Sequence, residues 1–345
     1  MTAIATAAPS RSPVVRERRR RLLSAGLLLA CVVMTFVSLM IGTSVFSPET
    51  VLRAITGAGT DQSADVIIKF QLPRVLLCWL VGIGLAVSGG VMQAVIRNSL
   101  AAPNIIGVTK GAGLAAVVVV LAAPTSPAFL LPVVAFAGGV LAFGVVYLAA
   151  YRSGTTPARL ALVGIAVSAL CEAGILFFLV RYPLNVSSAL IWLSGSLYGR
   201  TMMSFWQILP WVAILVPLLL YYSRRLDALG LGDDLAAGLG EPVERTRRIT
   251  LLLSVGLASA VVAGAGTIGF VGLVAPHIAR RLVGGRHHAY LPVAGLIGAF
   301  MMLVADTIAR GLIPPLEIPS GLVTSVIGAP YFLYLLAKTG KAGAR

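Results

Sequence analysis

The chain has 345 residues, 58% of them hydrophobic and only 11% charged, with a mean hydropathy of +0.95. Soluble domains carry about a quarter charged residues, so a water-soluble globular protein is excluded. The formal charge of +15 would suit nucleic acid, but 21 of the 27 Lys and Arg fall in the two tails and in alternate short loops, the distribution of the positive-inside rule; no nucleic-acid partner is expected.

The apolar runs follow one another too closely to leave a water-exposed domain. One membrane domain is expected over residues 22–337, between basic tails at 1–21 and 338–345. The run after "RERRRR" (Arg16–Arg21) resembles a signal peptide, and "LLAC" ending at Cys31 resembles a lipoprotein cleavage box. Apolar character continues to Ile41, however, which is about the ~20 residues of a bilayer span rather than the roughly 7–15 of a signal core. Leu22–Gly42 is therefore a retained first span.

Further spans of simple length are expected at Val75–Ile96, Leu160–Val180 and Thr201–Ser223. The uncharged run Gly111–Tyr151 is twice a span and holds "APTSP" (Ala123–Pro127), so it divides into two helices joined by a turn. Ile249–Pro276 is also too long and breaks at "AGAGTIG" (Ala263–Gly269), giving one helix to about Gly264 and a short one from about Gly269 to Leu282. Tyr290–Leu312 and Ser320–Ala337 complete an all-α polytopic protein of about ten spans, and the 21-to-6 split of basic residues between its two sides puts both termini in the cytoplasm. Cys31, Cys78 and Cys171 lie in apolar runs without CxxC spacing and read as small buried residues.

Between spans six and seven the chain turns polar: "DALGLGDDLAAGLGEPVERTRR" (Asp227–Arg248). Acids at Asp233 and Asp234 suit the start of a helix, and glycines punctuate both sides. A short cytoplasmic helix is expected, too polar to insert and too small to fold alone. It is either a solvated loop helix or a docking element for another protein, and periodicity does not separate the two.

Several stretches resemble one family. "GDDLAAGLG" with "RTRR", "GTIGFVGLVAPHIARRLVGGRHHAYLPVAGLIGA" (Gly266–Ala299), "ADTIAR" (Ala305–Arg310) and "PPLEIPSGLVTSVIGAPYFLYLL" (Pro314–Leu336) are similar to the FecCD-type permeases. These are membrane subunits of bacterial ABC importers for iron-siderophores, haem and cobalamin. "LPRVLLCWLVGIGLAVSGGVMQAVIRNSLAAPNIIGV" (Leu72–Val108) and "ALIWLSGSLYGR" (Ala189–Arg200) resemble the family's earlier signatures. Within the family, "GGRH" and "PPLEIPSG" stand nearest the ferric-citrate importers.

The resemblance implies a type II ABC importer permease fold in the bacterial cytoplasmic membrane and an iron(III)-siderophore or ferric citrate as cargo, with haem or cobalamin as the alternative. It also implies ABC ATPase subunits, a periplasmic or lipoprotein substrate-binding protein, and a second permease chain, a paralogue rather than an identical copy. In the family the segment between spans six and seven seats on the ATPase; here that implies Gly232, Asp233, Asp234, Ala236, Leu239, Gly240 and Glu241, with the basic residues behind them on the membrane surface. No GxxxxGK[ST] loop exists in the chain, so no cofactor is expected on it; ATP and Mg belong to the partner ATPase.

By the same resemblance Arg74 and Arg310 receive acids of the binding protein, although Gln71 stands where the family often has a further Arg. Exposed pairs contribute only ~0–1 kcal/mol each, so such contacts set orientation and on-rate. Asp306 could instead pair with Arg310 at i,i+4. "RNSLAAPN" resembles the family's RNPLA loop, which implies a cytoplasmic gate at Asn98 and Leu100, with Ser99 replacing a proline of fixed backbone angle.

Glu172 lies about twelve residues, ~18 Å, into span five, and an intramembrane acid usually faces a cavity or partner. It is a possible pore residue. His277, His287 and His288 have no carboxylate cluster to complete a hard-cation site, so no metal site is expected. A secondary transporter would want more deep ionisable residues, and no nucleophile, base or metal constellation within the spans supports an enzyme.

Overall fold

The structure is a computed structural model that describes residues 13–42, 44–59, 62–151, 156–314 and 316–340; residues 1–12 and 341–345 of the two expected tails lie outside it. Among the described residues the chain is all-helical. It begins with α1 (Pro13–Met40), α2 (Pro48–Ile55) and α3 (Gln62–Val66), which passes through one π-helical turn, Ile67–Gln71, into α4 (Leu72–Ile96). Then come α5 (Val108–Ala122), α6 (Leu130–Ala150), α7 (Pro157–Arg181), α8 (Val186–Leu193) and α9 (Met202–Leu229). The last five are α10 (Asp233–Gly238), α11 (Val243–Ala265), α12 (Val271–Val283), α13 (His287–Gly311) and α14 (Ser320–Gly340).

Among the described residues seven stretches are long and apolar enough to cross a bilayer: Glu17–Met40, Gln62–Ile96 and helices α6, α7, α9, α11 and α13. The turn at "APTSP" separates α5 from α6, and the break at "AGAGTIG" separates α11 from α12, as the sequence suggests. Other boundaries differ. α9 continues to Leu229 and α11 begins at Val243, so most of the polar stretch 227–248 extends two long helices and only residues 230–242 form the connection. The sequence reading also omits α2, whose Ser47 side chain accepts from Thr50 N at 3.2 Å and whose first residue is Pro48. Those start signals are legible, but α2 is far shorter than a span.

Burial sorts the helices. The best apolar window of the α3–α4 rod is 83% buried and those of α11 and α13 are 72% and 67%, against 17–33% for α1, α6, α7 and α9. Hydrophobic burial does not drive association inside a membrane, where close packing of small residues does. The "VGIGLAVSGG" face of α4 supplies it. Gly82 and Gly298 face each other so closely that a Cβ on either would run into the other's backbone carbonyl, and α4 and α13 meet backbone to backbone there.

Two irregular segments lie among these helices. Residues 97–107 do not follow the membrane surface from α4 to α5. Ser168 Oγ donates to Asn104 O at 3.2 Å, and Ser168 is already eleven residues into α7, ~16 Å along its axis. The segment therefore climbs inward, with Ala101, Ala102, Ile106 and Val108 buried. The second, Gly266–Phe270, is enclosed by the end of α8 and the start of α14: Ser196 N donates to Ala265 O at 3.0 Å, Thr267 Oγ1 donates to Leu193 O, and Gly321 N donates to Gly195 O at 2.9 Å. Non-helical backbone at membrane depth is tolerated where protein surrounds it in this way.

The Gly82 crossing gives a stability test. Gly82→Leu is expected to lower thermal stability in detergent by more than the ~1–3 kcal/mol of ordinary overpacking, because the obstacle is backbone. Gly144→Leu, with open space where the side chain would go, should stay within about 0.5 kcal/mol of the parent. Equal melting of the two variants would contradict the crossing.

Candidate functional site

The connection between α9 and α11 is built on two left-handed glycines, Gly232 at φ 114° and Gly240 at φ 82°. Gly240 closes α10: its N–H donates to Ala237 O at 2.9 Å and Glu241 N–H donates to Ala236 O at 3.0 Å. That bond pair is a Schellman motif, whose turning residue must be left-handed and is therefore usually glycine.

The two faces of α10 differ. Ala236 is fully buried against the rest of the chain, whereas Leu235 and Leu239 are 63% and 70% exposed, and Leu231 just ahead is 58% exposed. Residues four apart share a helix face, so Leu235 and Leu239 form one apolar ridge, with Leu231 exposed just ahead of the left-handed Gly232. Asp234, Gly238 and Gly240 are exposed beside it. Of the residues expected to meet an ATPase, Ala236 points inward, and Leu231 and Leu235 are outward-facing ones that the sequence reading omits. Glu241 is also held internally, accepting from Thr246 Oγ1 at 2.5 Å.

The N-cap position of α10 falls to Gly232, which has no side chain to cap with, and Asp233 is the first residue of the helix. Its carboxylate is shared by two arginines from other elements. Arg247 Nη2 donates to both oxygens at 2.8 and 2.9 Å, and Arg97 Nη2 donates to Oδ1. Arg97 also donates from Nε at 3.1 Å and Nη2 at 2.9 Å to the carbonyl of Leu229, the last residue of α9. Arg247 is buried, so of the basic residues expected on the membrane surface Arg245 and Arg248 remain outward and Arg247 does not. Burial alone would raise the Asp233 carboxyl, but the Arg247 hydrogen bond and the charges of Arg247 and Arg97 outweigh it and hold it below the ordinary carboxylate value. The stabilisation is thus present above that value and is lost as the pH falls through the lowered one.

Arg97 has φ 53° in a second Schellman turn: its N–H donates to Ala94 O at 3.3 Å and Asn98 N–H donates to Gln93 O at 3.2 Å. A non-glycine residue held there costs about 1–3 kcal/mol. Asn98 and Leu100 follow at once, with Asn98 Oδ1 accepting from Leu100 N at 2.9 Å. The gate residues expected from sequence are thus covalently continuous with the arginine that grips α10.

Glu172 has a partner, Lys110. The lysine is not in a cytoplasmic loop, where the charge count puts it, but three residues into α5 and level with the sixteenth residue of α7. The two side chains are 42% and 44% exposed.

At the opposite end of the molecule, Arg74 and Arg310 are buried and share Asp306. Arg74 Nε donates to both Asp306 oxygens at 3.0 Å and its Nη1 to Glu317 at 2.5 Å. Arg310 Nε lies 3.2 Å from Asp306, and its Nη2 donates to Ser38 O at 3.0 Å. Contact with an acid of a binding protein would require these carboxylates to release them. Of the histidines, His287 donates its backbone N–H to Asp227 at 2.7 Å and sets Nδ1 2.6 Å from the same oxygen, while His277 lies edge-on to Tyr331. No group of three metal-ligating side chains occurs among the described residues.

The model of the FecCD transport family matches residues 29–338. The chain belongs to the FecCD transport family. It is 46% identical over 323 residues to the Fe(3+)-citrate import system permease protein YfmE of Bacillus subtilis, covering 93% of this chain and 96% of that one. It is 45% identical over 318 residues to the iron(3+)-hydroxamate import system permease protein FhuG of the same organism, covering 90% and 95%. A solved inward-facing conformation of a metal-chelate type ABC transporter superposes with a TM-score of 0.83 at 32% identity, covering 92% of this chain and 99% of that one. PsaBC from Streptococcus pneumoniae, at a TM-score of 0.58, 16% identity and coverages of 82% and 94%, shares the fold alone. As a FecCD chain, the protein is a multi-pass ABC permease subunit and not itself the catalytic one.

Gly240 tests the geometry of the segment. A side chain there would meet open space, so Gly240→Val strains only the backbone, by about 1–3 kcal/mol. Hydrogen exchange should show residues 233–241 opening faster with the spans unchanged. Parental protection would contradict the left-handed turn.

Proposed function

We propose that the chain imports a ferric chelate across the bacterial cytoplasmic membrane as one permease of a paired assembly, with a separate ATPase driving alternating access and a binding protein delivering the cargo. The exposed leucines of this segment, Leu235 and Leu239 on one face of α10 and Leu231 just ahead of it, carry this reading. A contiguous apolar surface on a water-facing element marks a partner site, and the chain has no phosphate loop of its own. ATP and Mg are on the partner. Gly232, Asp234, Gly238 and Gly240 let that partner approach the ridge, and Ala236, Asp233 and Glu241 hold the segment to the permease.

In this reading there are ten crossings with both termini cytoplasmic, over a domain of residues 22–337. The distribution of basic residues supports it, 20 to 6 once Lys110 is set aside within α5, and α5, α12 and α14 join the seven longer stretches. The relatives' carboxylate and hydroxamate chelates support an iron(III) complex as the cargo class. Asn98 and Leu100 close the cytoplasmic end of the path. Binding-protein docking uses Arg74 and Arg310 by exchange, an incoming acid replacing Glu317 on Arg74.

Lys110 and Glu172 face the path at mid-membrane. A half-exposed ion pair at that depth is costly against lipid and is ordinarily turned to a water-filled cavity or to protein. Neutralising one member leaves the other charge uncompensated, whereas neutralising both does not.

Reconstituted in proteoliposomes with its ATPase, second permease and binding protein, the chain should take up radiolabelled ferric citrate only with ATP. Leu235→Asp should abolish both uptake and the ATPase stimulation caused by loaded binding protein; uptake that persists without the ATPase subunit would sink the proposal. For the membrane pair, Lys110→Met with Glu172→Gln should fold like the parent and slow uptake about tenfold, a barrier change of ~1.4 kcal/mol. Parental uptake by that double variant would reduce the pair to a packing role.

A further inference from the structure

The turn after α4 puts an arginine where a helix of this geometry ordinarily ends on glycine. α10 ends on the same pair of hydrogen bonds and uses Gly240. A left-handed non-glycine residue persists only when its surroundings over-determine it, and the surroundings of Arg97 are those of the coupling segment. Its guanidinium spans the carbonyl of Leu229, where α9 ends, and the carboxylate of Asp233, where α10 begins. Arg247, which shares Oδ1 with Arg97, also grips Asp233; its side chain is 4% exposed and its Nη1 lies 3.3 Å from Glu244.

Beyond Arg97 the chain is hydrogen-bonded to itself. Asn98 accepts from Leu100 N through its side chain at 2.9 Å and from Ala101 N through its carbonyl at 3.0 Å. Ile105 N donates to Ala102 O at 3.0 Å, and the climb ends at Ser168 and, three residues into α5, at the Lys110–Glu172 pair. A displacement of Asp233 therefore has a short, hydrogen-bonded route to the middle of the membrane.

We propose that Arg97, Asp233 and Arg247 form a clamp that transmits movement of α10 to the segment 97–107, so that Arg97 is a positioning residue linking the ATPase seat to the cytoplasmic gate. The clamp holds α10 to the end of α4 through a side chain, and the backbone of that same residue starts the gate segment. Arg97 needs no contact with ATPase or cargo for this role. The proposal rests on residues 230–242 being the ATPase seat.

The test exploits the strain. Arg97→Gly removes the clamp while easing the left-handed backbone, so the turn itself is not endangered. In proteoliposomes with the full transporter, Arg97→Gly is expected to keep ATP hydrolysis stimulated by loaded binding protein within about twofold of the parent while chelate imported per ATP falls about tenfold, a typical coupling magnitude. A spin label at Leu100 should shift on trapping the ATP-bound state in the parent and stay still in Arg97→Gly. Asp233→Asn should uncouple in the same direction. A parental ratio of chelate to ATP in Arg97→Gly would overturn the clamp, as would hydrolysis and import falling in equal proportion, or a label that moves in the variant as in the parent. Leu235→Asp reports on the seat separately: if it leaves hydrolysis stimulated, the seat is misplaced and the clamp falls with it.

Discussion

Every backbone N–H and C=O in the hydrocarbon must find a partner within the protein, since no water is available to supply one. The helices follow from that constraint, and so do the places where helix is given up. At 97–107 and at Gly266–Phe270 the chain abandons helical bonding only where other elements surround it: Gly164 and Ser168 of α7 for the first, and the carbonyls and amides around Leu193, Gly195 and Gly321 for the second. The enclosing helices must then sit close, which places small residues on α4 and α13 and brings Gly82 against Gly298. Tight centre and irregular segments are two consequences of one restriction.

The charged residues obey a related rule. Arg74 stands at the start of α4 and Arg97 just past its end, ~35 Å apart along the axis, and each shares an aspartate with a second arginine: Asp306 with Arg310 at one end, Asp233 with Arg247 at the other. The buried pairs on Asp306 gain little net stability over a well-packed apolar substitute, although losing one partner is costly, and the half-exposed Arg97–Asp233 pair contributes little of its own. The pairs therefore do more to define where the ends of α4 are held than to raise the overall stability. The central helix is tied to α13 at one face of the membrane and to α10 and α11 at the other.

Much of this architecture is legible in sequence because the bilayer demands ~20 apolar residues per crossing and because turns need particular residues. "APTSP", "AGAGTIG" and the glycines around "DDLAAG" mark real breaks. The site was less legible because its decisive contacts join residues far apart in the chain. Arg97 and Asp233 are 136 positions apart, and nothing at either position announces the other. Lys110 reads as one more loop charge, yet α5 starts deep within the protein and carries it to Glu172. Arg74 and Arg310 sit at helix ends, where an arginine reads as surface; Asp306, Glu317 and Ser38 converge on them only after α1, α4, α13 and the loop before α14 have packed. Ala236 reads as a small residue offered to a partner, yet a six-residue helix lying on a larger body must bury one face, and its alanine is the side chain small enough to do so.

The one signal in sequence that bore on Arg97 was negative. A helix ending before a polar loop, with a Schellman turn to make, ordinarily carries glycine or asparagine at the left-handed position, and Asn98 stands one residue too late for it. Shifting the turn by one residue would have relieved the strain and left the arginine free to point into water. That it instead occupies the strained position, with its side chain across Leu229 and Asp233, means that the contacts to α9 and α10 more than offset the backbone cost. A surface pair of this exposure alone contributes ~0–1 kcal/mol, less than the strain at its upper range, so the two hydrogen bonds to the Leu229 carbonyl, which also accepts from Gly232 N at 3.3 Å, are needed to complete the balance. The end of α9 is thus part of the same joint. Any movement of the connection between α9 and α11 away from α9 must either carry Arg97 and the end of α4 with it or break the Arg97–Asp233 bond while the two bonds to Leu229 hold.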